Sequence, residues 1–178
     1  GQIFFPPAAF GGNSLWVRQM LTKENGTFPY AKKLYEIAKY MGFDGWFINE
    51  ETNGGSSPDW PDFIKEFNRI ADENGDTQME IQWYNASHSP NTKILATHKN
   101  TSQFLEYGSS GDNRGYASSI GCTVEETFSK IYAGVQIVNS GHTGWNGALD
   151  NAMPKNGHVG SLDLFCPEER IWKDNVKD

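Results

Sequence analysis

The stretch GFDGWFINEETN, Gly42–Asn53, decides how this chain is read. Its apolar middle, Trp46 to Ile48, runs directly into Asn49, Glu50 and Glu51. Strands usually end in turn residues, and acids are usually kept on helix faces rather than arriving in a pair straight from a strand. The pattern predicts a strand over Asp44–Glu50 that delivers polar groups at its carboxyl end, where strand–helix folds keep their active sites. Side chains alternate along a strand. Phe47, Asn49 and Glu51 therefore share one face, and Trp46, Ile48 and Glu50 the other. Trp46 and Ile48 suit a helix-covered layer. Asn49 and Glu51 then point into the mouth of the fold, roughly 6.5 Å apart along the strand, and Glu50 faces the rim.

Outward from this strand, helices and strands alternate. Pro29 starts a helix whose apolar stripe is Leu34, Ile37, Ala38 and Met41, and Gly42 closes it. Asp59–Pro61 launches a second amphipathic helix through Phe63, Phe67 and Ile70, closing near Gly75. Met79–Tyr84 is the next strand. Upstream, Gln2–Phe5 is a short strand stopped by Pro6 and Pro7, and a helix is expected over Ser14–Leu21. Downstream come a weak helical stretch around Thr101 and a short strand over Phe104–Tyr107. A helix over Thr123–Lys130 opens with a capping box, and strands succeed it at Ile131–Val138 and Ser161–Phe165. This alternation predicts α/β architecture with a parallel sheet. No GxGxxG or GxxxxGK loop is present, which disfavours a nucleotide-binding sheet. Polar strand tips favour a (β/α)8 barrel of the TIM type. At 178 residues the chain reads as one domain. A complete barrel takes about 250 residues, so the expectation is a partial barrel, and GQIFFPP reads as the middle of a longer chain.

Composition narrows the function classes. The net charge of −7 argues against a nucleic-acid partner, which needs clustered Lys and Arg. No apolar run approaches the ~20 residues of a membrane span. His88, His98, His142 and His158 form no HxH or HExxH pattern, so neither metal nor cofactor is expected. Cys122 and Cys166 lack metal-site spacing; buried free thiols are the simpler reading, with one disulfide left open. Aromatic residues make up 13% of the chain, a load that serves either a core or a carbohydrate surface.

A glutamic acid in a ring-lined pocket holds its proton more tightly, because desolvation disfavours the charged form. It can hand that proton to a leaving oxygen. Glycoside cleavage usually takes a second carboxylate. The strand tips at Tyr84-Asn85 and at Gln136 offer none. An acid with an amide partner fits substrate-assisted hydrolysis, in which the substrate's 2-acetamido oxygen attacks the anomeric carbon. The competing reading of Asn49-Glu50-Glu51 is a solvated loop.

The residues resemble glycoside hydrolase family 85, the endo-β-N-acetylglucosaminidases. The similar blocks are FFPPAAFGG (Phe4–Gly12), the run from Gly26 to Glu51, IQWYNAS (Ile81–Ser87), FLEY (Phe104–Tyr107), IYAGVQIV (Ile131–Val138) and SLDLFCPE (Ser161–Glu168). GFDGWFIN-x-E is the most specific. The resemblance implies a (β/α)8 barrel of which this chain holds about strands three to eight. It also implies cleavage of the GlcNAc-β1,4-GlcNAc bond in the core of N-linked glycans by a retaining mechanism. Within it Glu51 is the general acid and then base, Asn49 orients the acetamido group, and Tyr84 is a hydrogen-bonding partner near the reacting sugar. Asn85 stands where the family's WYDS has Asp, Gly108 and Ser109 come after Tyr107 where an aromatic is usual, and Gln136 replaces the Asp of GxDV. These departures lie where substrate is gripped. Phe10 and Gly11, after the first strand, and Trp145, in the loop HTGWNG, are further expected sugar contacts. The rival readings are a glycan-binding barrel or decayed paralogue without turnover, and a two-carboxylate glycosidase using Glu50 or Glu51. The expected partners are an N-linked glycan or glycoprotein and the remainder of a longer chain, with no membrane partner. A bacterial secreted or cell-surface location is favoured over the cytoplasm.

Overall fold

The computed structural model describes residues 1–52, 57–109, 111–137 and 148–167. They form two compact units. Gly1–Ala86 with Asn91–Ser102 is the first, and Ser87–Pro90 with the residues from Gln103 on is the second.

In the first unit β1 (Gln2–Phe5), β2 (Gly45–Glu50) and β3 (Glu80–Tyr84) pair in parallel with β2 in the middle. The helices are α1 (Ser14–Met20), α2 (Pro29–Met41), α3 (Trp60–Glu73) and α4 (Thr92–Leu95). The unit is the expected strand–helix alternation, and its register fixes the faces. Ile3 pairs with Ile48, and Ile48 with Trp83, so the apolar row lies on one side. Phe4 pairs with Asn49, and Asn49 with Tyr84, which makes the opposite row. The apolar side meets Phe63, Ile64 and Phe67 of α3, all fully buried. Trp60 lies edge-on to Phe5, Phe63 and Trp83 at centroid distances of 5.9, 5.4 and 5.1 Å, contacts worth about 0.5–1.5 kcal/mol each beyond burial.

The stripe on α2 differs from the one the sequence predicts. Ala31, Leu34 and Ala38 are buried, whereas Ile37 and Met41 are exposed. The two alanines let the helix approach closely, and Trp46 fills the space, its indole N–H donating to the Leu34 carbonyl at 3.0 Å. Gly42 takes the left-handed conformation that ends the helix, at φ 71. Gly45 allows β2 to begin against β3, because a Cβ there would sit 2.0 Å from the Glu80 carbonyl oxygen.

In the second unit the end of β4 (Thr101–Leu105), β5 (Ile131–Gln136) and β6 (Ser161–Phe165) also pair in parallel. Short helices α5 (Ala117–Ile120), α6 (Thr127–Lys130) and α7 (Ala148–Ala152) accompany them. Thr101 begins a strand, not the expected helix. The helical turn lies earlier, at α4, because the Asn91 side chain accepts from Ile94 N–H and caps it there. Thr101 is then fully buried, and its hydroxyl oxygen accepts from Asn68 Nδ2 at 3.4 Å. The capping box before α6 forms as predicted, Thr123 N–H to Glu126 at 2.7 Å and Glu126 N–H back to Thr123 at 3.2 Å. It leads into a turn, so α6 starts only at Thr127. Cys122 and Cys166 form no disulfide and are half-buried rather than buried. Val138 lies outside the described residues.

Candidate active site

Strand alternation works as the sequence predicts. Along β2, Trp46, Ile48 and Glu50 are buried while Phe47 and Asn49 are half-buried, and Glu51 beyond the strand is half-buried too. Asn49 and Tyr84 are Cα partners on adjacent parallel strands, so both project on the same face, beside Phe4 of β1. The Tyr84 ring stacks on Phe47 at 6.1 Å between centroids and 24° between planes. The Asn49 Oδ1 is inaccessible, and no donor among the described residues reaches it. An amide oxygen without a partner is unfavourable by about 1–3 kcal/mol, and such atoms in folded proteins ask for a reason. Glu51 comes directly after the strand, its N–H held by the Phe5 carbonyl at 2.8 Å.

Glu50 corrects the sequence reading. It is not at a rim but 1% exposed, on the helix-facing side beside Phe5. One row of Trp, Ile and Glu shares a face by strand geometry, and the helices cover all of it. Glu50 Oε1 accepts from Thr52 N–H at 2.9 Å and also from the Thr52 hydroxyl. Its Oε2 has no partner among the described residues. Burial pushes the Glu50 carboxyl above the usual range; the Thr52 hydrogen bonds oppose this, and the neighbouring Glu51 charge adds to it.

The other predicted contacts divide by location. Phe10 and Gly11 lie after β1 in a tight turn, with Phe10 80% exposed and Gly11 in the left-handed region. Asn85 comes after β3, alternates away from Tyr84, and keeps a buried Oδ1 without a partner among the described residues. Gln136 is the last residue of β5, in the second unit. Trp145 and His142 lie outside the described residues. Trp83 is structural, buried against Trp60.

Three features escape the sequence reading. Phe4, 51% exposed, stands in the Asn49–Tyr84 row, which only the register reveals. Thr52 clasps Glu50, and nothing in the pattern marked it. Glu106 comes directly after β4 and is a further carboxylate at a strand's carboxyl end; its Oε1 accepts from Tyr107 N–H at 3.0 Å. The apolar pair Phe104-Leu105 before Glu106 was the signal that could have found it.

No functionally curated protein matches the chain. Among solved structures it is similar to the glycoside hydrolase domain of Endo-D from Streptococcus pneumoniae R6. The TM-score is 0.73 at 21% identity, over 95% of this chain and 30% of that one. At such identity the likeness carries the fold, and with the parallel strand–helix units above it gives a partial (β/α)8 barrel. The chain thus spans 30% of the length of that neighbour. The sequence itself matches the model of glycosyl hydrolase family 85 over residues 1–176. The match runs through β2, which bears Asn49, and through Glu51 after it, and the chain belongs to glycosyl hydrolase family 85.

Proposed function

We propose that this chain carries the catalytic pair of an endo-β-N-acetylglucosaminidase that cuts the GlcNAc-β1,4-GlcNAc bond of N-linked glycans. The observation that supports it most is the register of β2 and β3, which sets Asn49 beside Tyr84 on one face at the carboxyl end, two positions before Glu51. In this reading Glu51 gives its proton to the leaving glycosidic oxygen. The substrate's acetamido oxygen attacks the anomeric carbon from the other side as the bond to the leaving oxygen breaks, and forms an oxazolinium ion that keeps its N–H proton. Asn49 holds the acetamido group in line for that attack, a gain in orientation of the kind that lowers barriers. Water then opens the oxazolinium ion with Glu51 as base, which restores the Glu51 proton and retains the anomeric configuration. Phe47 and Phe10 supply ring surface for sugar faces, and Tyr84 a hydrogen bond near the reacting sugar. Outside the cell, where N-glycoproteins are met, is the location that goes with this reading.

The test is mass spectrometry of a high-mannose glycopeptide after incubation with the chain. Loss of all but one GlcNAc, abolished by Glu51→Gln, is the expected result. Cleavage that survives Glu51→Gln overturns the assignment. Saturable glycan binding without cleavage, in the longest natural form of the chain, identifies a binding barrel instead.

A further inference from the structure

The sheet holds residue 51 by one last rung, Glu51 N–H to the Phe5 carbonyl at 2.8 Å. β2 has already ended at Glu50. Beyond that rung, side chains brace the backbone: Glu50 Oε1 accepts both the backbone N–H and the hydroxyl of Thr52. We propose that Glu50 is a positioning residue for Glu51, closing a hydrogen-bonded ring with Thr52 across residue 51 and so fixing the direction in which the Glu51 carboxyl leaves the strand. The inference rests on the reading of Glu51 as the acid.

Three observations carry it. Glu50 occupies an apolar layer, 1% exposed, in the row of Trp46 and Ile48, where an aliphatic side chain would satisfy packing without burying a carboxyl. The carboxyl keeps Oε2 without a partner among the described residues, so the arrangement is not optimised for its own hydrogen bonding. The oxygen that is used takes two donors from one residue, and that residue is on the far side of Glu51. A side chain that bridges its i+2 neighbour constrains the peptide between them. Rules of local packing broken beside a reacting group are expected where geometry matters more than stability. Misplacing a catalytic group by about 1 Å can lower the rate about 100-fold.

The experiment compares the chain with its Glu50→Leu, Glu50→Gln and Thr52→Val variants. Steady-state kinetics on the high-mannose glycopeptide and amide hydrogen exchange at Glu51 and Thr52, read by NMR, are measured on each. Glu50→Leu is expected to lower kcat by about 10- to 100-fold with KM little changed, and to speed Thr52 exchange by about tenfold. Glu50→Gln keeps an acceptor oxygen and is expected to restore most of both. Thr52→Val, which keeps the N–H, is expected to fall between. A normal kcat in Glu50→Leu overturns the proposal, as does a Glu50→Gln variant as impaired as Glu50→Leu. If Glu50→Leu does not fold, the Gln and Val variants decide by the same criteria. Inactivity that persists in the longest natural form of the chain breaks the hydrolase reading alone. Exchange then decides the positioning: unaltered rates at Glu51 and Thr52 in Glu50→Leu overturn it, and faster rates uphold it.

Discussion

The two ends of β2 and β3 treat their polar groups in opposite ways. At the amino end, Asp76 accepts from Lys39 at 2.8 Å and from Tyr35 at 2.5 Å, and Asn100 donates to the carbonyls of Thr77 and Met79. Lys39, Asp76, Thr77 and Met79 line a cavity of about 380 Å³, formed by the ends of α2 and α3 with the segments entering β2 and β3. At the carboxyl end, Asn49 Oδ1, Glu50 Oε2 and Asn85 Oδ1 are all buried without partners among the described residues. Buried polar groups are normally satisfied. One end therefore pairs its polar groups with one another, and the other leaves acceptors without a partner among the described residues. Barrel enzymes divide their two faces in this manner.

Substitutions at the carboxyl end should stop turnover and spare the fold. Glu51→Gln is the largest expected effect, a loss of about 100-fold or more in kcat, since under the proposed mechanism it removes both the acid and the base. The melting temperature should stay close to that of the parent, because Glu51 is half-buried and its side chain supports no described element. Differential scanning calorimetry beside the glycopeptide assay checks both halves. A large drop in melting temperature would erase the contrast between the ends.

Asn49→Ala sharpens the chemistry. Loss of a preorganised polar group at the reacting centre lowers kcat by about 100-fold. If the substrate's acetamido group is the nucleophile, the variant should still turn over a preformed oxazoline donor, because that step no longer needs the amide to align an attack. Equal losses on glycopeptide and oxazoline would count against substrate assistance. Glu106→Gln is the complementary probe and should have a smaller effect. Substrate assistance expects far less loss than from Glu51→Gln, whereas a two-carboxylate mechanism that uses Glu106 expects comparable loss.

The sequence made the working face legible for a physical reason. GWFINE alternates strictly, and a period of two has only one register that buries Trp46 and Ile48. Asn49 and its face came with that register. Glu50 did not, because alternation tells which side a residue faces and not how completely helices cover that side. α2 misled for a related reason. Ile37 and Met41 satisfy helical spacing as well as Ala31 does, and hydrophobicity alone favours the larger residues. Close approach of the helix selected the alanines instead. Phe4 and Tyr84 became neighbours of Asn49 only through strand register, a long-range property that no local window contains. Glu106 was missed because the expected strand ran through it to Tyr107, whereas β4 stops at Leu105.

The smallest expected effect concerns pH, and here the two ends should differ in sign. Hydrogen bonds from Lys39 and Tyr35 hold the Asp76 carboxyl below its ordinary value of 3.8. A depressed carboxyl contributes stability that is present above the unfolded value and lost as pH falls through the folded one. Asp76→Ala should therefore lower the melting temperature at pH 7, and the gap to the parent should narrow below about pH 4. Glu50 is raised above 4.5 by burial. A raised carboxyl binds its proton more tightly in the folded state, so its contribution to stability declines as pH climbs from the unfolded value through the folded one. Glu50→Gln removes that decline. The variant should melt above the parent at pH 7, with the difference closing as pH drops toward 4.5. Melting curves of the three proteins between about pH 3 and 8 give the comparison directly. Two variants that shift in the same direction at pH 7 would show that the carboxyl end is paired as well as the amino end, and Glu50 would lose its claim to be held for geometry at a cost in stability.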